Sequence, residues 1–226
     1  SKTTQGHAKR LFPNIRTVTV PLGIDVALRN PHENPQQRPE FLSNNNLNLL
    51  VIGSEEPRKR MGLAVDVNAG LPEQIRADIV LHKVGAESNL AIRERLVSRA
   101  DDSDVKINWL GGLDEDDLIA IEQHADALLF PSVAEGFGYP PLEAMAAGCP
   151  VLMSDIGSHN ELAVVGTPLP PFEKAVWIDA ICNLHDAWMS REKNPREADN
   201  KGLDRAQEYS TDKFILRLKE AYDLSS

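Results

Sequence analysis

Glu135 and Glu143, with seven residues between them, flank a turn shaped by Gly136, Gly138, Pro140 and Pro141. A short apolar run, Ala127 to Phe130, feeds the turn, and a good helix sequence, Leu142 to Ala147, leaves it. A strand, a turn that bares backbone amides and a helix N-terminus together form an anion-binding device, because unpaired N–H groups and the helix dipole both favour negative charge. Acids at its edges suit a ligand that carries hydroxyl groups as well as phosphate, such as a sugar nucleotide. The two prolines cannot donate, but they fix φ and start the helix. That leaves the amides of Leu142 and Glu143 unpaired at its positive end, while Gly136 and Gly138 permit close backbone approach. Glu143 also has a simpler explanation, since an acid in a first helical turn stabilises by about 0.3–1 kcal/mol. Glu135, on a loop before two glycines, has no such capping role.

A second group lies in Gly53-Ser-Glu-Glu-Pro-Arg58-Lys59-Arg60, directly after the apolar run Leu47 to Ile52. Three consecutive cations at a strand's carboxyl end could hold a diphosphate, Arg by bidentate hydrogen bonds and Lys as a point charge. A solvated basic turn ahead of a helix explains them more simply on the residues alone. Asp114-Glu115-Asp116 fits a loose Asp-x-Asp metal pattern, but acids behind an N-capping Asp114 account for it better. The six histidines show no metal-ligand spacing, and no Gly-x-Gly-x-x-Gly follows the first strong strand, which argues against a dehydrogenase.

The elements that must position these groups alternate. Strands are expected at Leu47–Ile52, Ile79–Val84, Val105–Leu110, Ala127–Phe130 and Val151–Met153, three of them closed by Gly53, Gly85 and Gly111. Helices are expected at Met61–Ala69, at Asn89–Ala100 with Leu90, Arg93, Leu96 and Val97 at helical spacing, after Asp114, and from Pro141. Such alternation predicts an α/β fold, a doubly wound Rossmann-like parallel sheet with short buried strands and helices on both faces. Before Leu47, one strand (Thr17–Val20) precedes Pro21, Pro31, Pro35, Pro39 and the polar run Ser43–Asn46, a texture of surface linker rather than packed element. Beyond Pro171 the texture is helical. Ala175, Ile178, Ile181, Cys182 and Trp188 share a face, then a polar gap with Pro195 precedes helical stretches near Glu197–Tyr209 and Asp212–Leu224. The expected division by texture is therefore a linker (1–46), an α/β body (47–171) and C-terminal helices packed on it (172–226).

Composition narrows the partners. With 24 basic against 34 acidic residues the net charge is -10, which argues against nucleic acid and against charge-driven binding to anionic lipid. Cys149 and Cys182 fit neither a disulfide framework nor a zinc spacing and read as thiols in a reducing compartment. No apolar run approaches the ~18 residues of a membrane span and no signal peptide opens the chain, so a cytoplasmic protein is expected.

The string ADALLFPSVAEGFGYPPLEAMAAGCPVLMSDIGSHNELA resembles the signature region of the family-four retaining glycosyltransferases of the GT-B fold. VIGSEEPRKR resembles that family's first-strand loop, and VPLGID the strand entering its C-terminal domain. The resemblance implies the donor-binding half of a transferase that takes a hexose from a UDP-, GDP- or ADP-sugar, without metal or other cofactor. It implies that Lys59 and Arg58 meet the diphosphate, that Glu135 lies near the donor sugar and that Glu143 binds the ribose hydroxyls. Gly136, Phe137, Gly138 and the Leu142 amide would line the sugar and phosphate subsites, and the backbone of 111–113 would face the base. Ser54 stands where many members have Arg, so Arg58 is expected to substitute, and Leu22 stands where an asparagine is common. The acceptor, a glycan, lipid or other hydroxyl compound, would be held by an N-terminal domain not in this chain, through which peripheral contact with the cytoplasmic face of a membrane is conceivable. The Pro-Arg-Lys run loosely suggests mannosyl transfer from GDP. A sugar-nucleotide epimerase or phosphorylase of the same fold, and a non-catalytic donor-sensing or assembly module, remain alternatives.

Overall fold

In the computed structural model, which describes residues 1–164, 168–191 and 199–223, two short helices come first: α1 (Lys2–Leu11) and α2 (Val26–Arg29). The regular fold then runs β1 (Leu47–Ile52), a 3-10 turn (Pro57–Lys59), α3 (Met61–Ala69), α4 (Glu73–Asp78), β2 (Ile79–Val84), α5 (Leu90–Asp102) and β3 (Ile107–Gly111). It continues through α6 (Glu115–His124), β4 (Ala127–Phe130), α7 (Tyr139–Ala146), β5 (Val151–Ser154), α8 (Gly157–Asn160) and β6 (Pro168–Leu169). Helices α9 (Lys174–Ser190), α10 (Asn200–Gln207) and α11 (Thr211–Asp223) follow.

The described strands form one parallel sheet in the order β3-β2-β1-β4-β5-β6. Alternate residues of its central strands feed two apolar layers. Leu47, Leu49 and Val51 of β1 join Leu81 and Leu129 beneath α3, α5 and α9, whose Val65, Leu96 and Trp177 complete that layer. Leu50 joins Leu128, Phe130 and Met153 on the other face, against Ile121 of α6, Leu142 and Met145 of α7 and Ala206 of α10. Burial on both faces is why these strands read as unbroken apolar runs. The chain order reverses between β1 and β4, and the crevice outside the carboxyl ends at such a switch point is where ligands of open α/β sheets bind.

Several expectations change. Thr17–Val20 forms no strand, because extended β-branched residues need a ladder partner and the bridge formed nearby joins Ile24 to Ser210. Helices α1 and α2 occupy the stretch expected to be linker. Helix α1 is poor in helix formers, with Thr3, Thr4 and Gly6, and is tied down instead by Glu161, which accepts from the amides of Lys2 and Thr3 and from the Thr3 hydroxyl. The one-turn α8, the short α4 and the two-residue β6 were not expected. In α9 the buried seam is Trp177, Ile181 and His185, while Ala175 is exposed. The segment around Pro195, the start of the Glu197 stretch and Leu224 lie outside the described residues.

Candidate functional site

The loops after β1 and β4 meet at the switch point. Gly53 leaves β1 at φ 142°, and the Lys59 stem packs so closely across it that an added Cβ would lie 3.3 Å from Lys59 Cδ. Pro57 starts the 3-10 turn and Arg60, at φ 50°, ends it. The Val133 amide donates to the Arg58 carbonyl (2.9 Å), tying the β4 loop to the β1 loop. This backbone contact sets up the side chains. Glu135 accepts from Lys59 Nζ at Oε1 (2.7 Å) and from Arg58 Nη1 at Oε2 (3.0 Å). Arg58 Nε donates to Glu56 (2.7 Å), and Lys59 Nζ lies 5.0 Å from the centre of the Phe130 ring. Arg60 turns away, to the Pro171 carbonyl and the Phe172 ring. Two of the three expected cations therefore converge on Glu135.

Gly138 caps α7 at φ 111°, where an added Cβ would stand 3.1 Å from Leu162 Cδ1. A residue other than glycine would suffer both strain and crowding there. Because α7 begins at Tyr139, the Leu142 amide is not unpaired as expected: it donates to the Gly138 carbonyl (3.3 Å). The open donors lie one turn earlier. The amides of Gly136, Phe137, Gly138 and Tyr139 make no hydrogen bond among the described residues. The Phe137 side chain does not line the crevice but packs edge-on against Tyr139 and Tyr209 in the core. A groove of about 650 Å³ opens beside this turn, lined by Arg58, Glu135, Gly136 and Ser158 and, from α1, Thr3 and His7.

Glu143 lies past the first turn of α7, so capping does not explain it. Its Oε1 accepts from Arg29 Nη2 (3.1 Å), while Arg29 Nη1 donates to Glu122 Oε2 of α6 (2.7 Å) and Nη2 also reaches Glu115 (3.4 Å). Burial raises the carboxyls of Glu122, to about 8, and Glu143, with Arg29 opposing both shifts and the neighbouring acids adding to them. Glu115 opens α6 after capping by Asp114, whose side chain accepts from the Asp117 amide (2.9 Å) as expected. The cluster thus stands beside the 111–113 loop at the carboxyl end of β3.

Sequence reasoning missed three further groups. Arg29 and Glu122 pair in the interior; Glu122 sits within the apolar stripe Leu118, Ile119, Ile121, and a charge in such a stripe signals a buried partner. Lys83, in a strand expected to be buried on both faces, donates to Glu55 (2.6 Å) and to the Gly85 carbonyl (2.9 Å), and Glu55 also accepts from the Ser88 amide and hydroxyl. His159, fully buried, has Nδ1 2.9 Å from the Ser154 carbonyl and therefore protonated there; its Nε2 has no partner among the described residues and the ring packs on Phe130.

A parallel sheet with a cationic, amide-rich crevice at its switch point is suited to hold an anionic ligand. A family model described as Glycosyl transferases group 1 matches residues 33–180, and the chain belongs to that family. It is 35% identical over 145 residues to the serotype-specific mannosyltransferase WbdA of Escherichia coli, covering 61% of this chain and 16% of that protein. It is 30% identical over 178 residues to O-antigen chain mannosyltransferase B of the same species, covering 77% of this chain and 45% of that protein. Among solved structures, sucrose-phosphate synthase of Thermosynechococcus elongatus superposes with a TM-score of 0.78 at 21% identity, over 98% of this chain and 56% of that one. Anabaena HepE in complex with UDP and glucose superposes with a TM-score of 0.71 at 20% identity, over 89% and 55%. These likenesses show the fold, one half of a GT-B architecture. The chain spans less than half the length of either of these mannosyltransferases. Among the described residues no helix is long and apolar enough to cross a membrane.

Proposed function

We propose that this chain is the donor-binding half of a retaining glycosyltransferase that moves a hexose from a nucleotide diphosphate sugar to a hydroxyl acceptor. The observation that carries the reading is the convergence of Arg58 and Lys59 on Glu135 at the switch point, beside four amides that make no hydrogen bond among the described residues. In the transfer the bond from the anomeric carbon to the diphosphate oxygen breaks, one to the acceptor oxygen forms on the same face, and the acceptor's hydroxyl proton passes to the departing diphosphate oxygen. The charge left on the diphosphate is taken up by Lys59, Arg58 and the amides of 136–139, so the reading assigns no metal to the site. Lys59 exchanges its bond with Glu135 for one with phosphate, and the released Glu135 oxygen accepts from a donor-sugar hydroxyl. Glu143 accepts from the ribose hydroxyls. Arg58 takes the place of the arginine common at position 54.

The finer assignment is mannosyl transfer from a GDP donor, supported by the names of the relatives and by the Pro57-Arg58-Lys59 run. The acceptor, a glycan, lipid or other hydroxyl compound, would be presented by a domain outside this chain. The segment 1–46 would lead from that domain into the donor-binding body 47–171, with 172–226 packed on it. Action in the cytoplasm is consistent with Cys149 and Cys182 remaining thiols. Calorimetric titration of UDP, GDP and ADP tests the reading. GDP is expected to bind best, and Lys59→Ala to weaken it at least about tenfold, or ~1.4 kcal/mol. Absence of binding by every diphosphate, or indifference to Lys59, would sink it. Labelled GDP-mannose given to the full protein separates transfer from epimerisation or phosphorolysis.

A further inference from the structure

The Arg29 cluster has features that stability alone does not explain. One guanidinium, 5% exposed, serves three carboxylates from two helices. Burying such a group is expensive, and replacing a buried ion pair with apolar side chains is often neutral or stabilising. The arrangement is nevertheless fixed at every joint. Asp25 caps α2 through the Leu28 amide (3.1 Å), and Gln123 Nε2 of α6 donates to the Arg29 carbonyl (2.8 Å). Asn34 Nδ2 donates to the Leu28 carbonyl (2.6 Å). Glu122 then anchors one arm of the planar fork, Nη1, and the rigid plane aims the other arm, Nη2, at Glu143. Only one oxygen of Glu143 is tied. Oε2 accepts no hydrogen bond among the described residues, and the side chain keeps 21% of its surface exposed. A carboxylate with one oxygen clamped and the other open is set to receive an incoming donor.

We propose that Arg29 is a positioning residue for Glu143, its guanidinium braced by Glu122 so that the free carboxylate oxygen of Glu143 is held ready for the vicinal hydroxyls of the bound nucleotide's ribose. The inference rests on the donor-site reading above. Glu122, held largely neutral by its burial, leaves the Arg29 charge to Glu143. Arg29 itself touches no ligand.

The test compares GDP with 2′,3′-dideoxy-GDP, which lacks the hydroxyls that Glu143 would bind. Wild type is expected to favour GDP by about tenfold, the scale of one hydrogen bond to a charged group. Arg29→Met with Glu122→Met removes the buried hydrogen-bonded pair while filling its space, so the chain folds, as a thermal melt will register. In that variant the GDP preference should collapse towards unity while dideoxy-GDP binds as it does to wild type. Glu143→Gln should give the same ratio, and adding the double change to it should alter nothing further. Arg29→Lys, which keeps the charge but not the fork, carries the same readout if the double variant folds poorly. Equal weakening of both nucleotides, or a retained preference in a folded variant, would overturn the inference while leaving the donor site standing. A wild type that binds neither nucleotide overturns the donor-site reading and this inference with it.

Discussion

Two buried glutamates, each paired with a cation, have their carboxyls shifted in opposite directions. Glu55, 1% exposed in the loop after β1, meets Lys83 of β2; Glu122, fully buried on α6, meets Arg29 of α2. Burial pushes both carboxyls upward. At Glu55 the bonds from Lys83 and from the Ser88 amide and hydroxyl outweigh it, and the carboxyl falls to about 2. At Glu122 the pull of Arg29 is not enough, the nearby charges of Glu143 and Glu115 add to the rise, and the carboxyl reaches about 8. Glu122 Oε1 is buried without a partner among the described residues, whereas both oxygens of Glu55 are bonded. The contrast shows that an adjacent cation does not by itself keep a buried acid ionised; the donors on the carboxylate must together outweigh its burial. It also separates two kinds of support. The Glu55 pair locks the β1 and β2 loops behind Arg58 and Lys59, while the Glu122 pair aims a shared cation at Glu143.

The most severe way to break the comparison is Lys83→Met. It strands an ionised, buried Glu55, and losing one partner of such a pair costs about 3–5 kcal/mol. Urea denaturation should show a loss of that size, and diphosphate affinity should fall with it as the β1 loop loosens. A loss below about 1 kcal/mol would mean that Ser88 alone carries the carboxylate.

Glu122→Gln should act in the other direction and with pH. Its folded value, about 8, lies above the ordinary glutamate value of 4.5, so its contribution to stability is fully present below 4.5 and is lost as pH rises through about 8. Glu55, with a folded value of about 2, contributes above 4.5 and loses that contribution only as pH falls through 2, so it adds no slope between pH 5 and 8. The melting temperature of the glutamine variant should therefore match wild type near pH 4.5 and exceed it increasingly towards pH 8, by several degrees. A constant difference across that range would show that Glu122 is ionised throughout, like Glu55.

Much of this was legible in the chain. The central strands declared themselves because burial on both faces leaves no polar alternation, and Glu135, Arg58 and Lys59 because loops at strand ends must converge at a switch point. The braces were hidden for a physical reason. Arg29 looks like any exposed arginine in a proline-rich linker, and only tertiary folding brings it between α6 and α7. The signals that could have exposed them were polar residues in apolar places, Glu122 in a helix stripe and Lys83 in a central strand. Helix α1 escaped because its composition is poor and its anchor, Glu161, lies far along the chain. The Leu142 amide was misjudged by a helix start: with Gly138 as the cap, the bare amides fall on the turn itself.

The smallest effect is the sharpest control. Glu115 is the third acid on Arg29, yet its side chain is 64% exposed and its contact is long, at 3.4 Å. If the number of acids around Arg29 set the state of the cluster, Glu115→Gln would resemble Glu122→Gln. If burial sets it, water screens Glu115 and its removal should change stability by less than about 0.5 kcal/mol, within the range of exposed pairs. Its pH dependence between 5 and 8 should stay parallel to that of wild type, because Glu122 remains enclosed. Added salt should erase even the small difference, since an exposed pair is screened where the buried one is not. A Glu115→Gln variant that instead flattens the pH profile as Glu122→Gln does would place the titration on the surface and remove the contrast between the two buried glutamates.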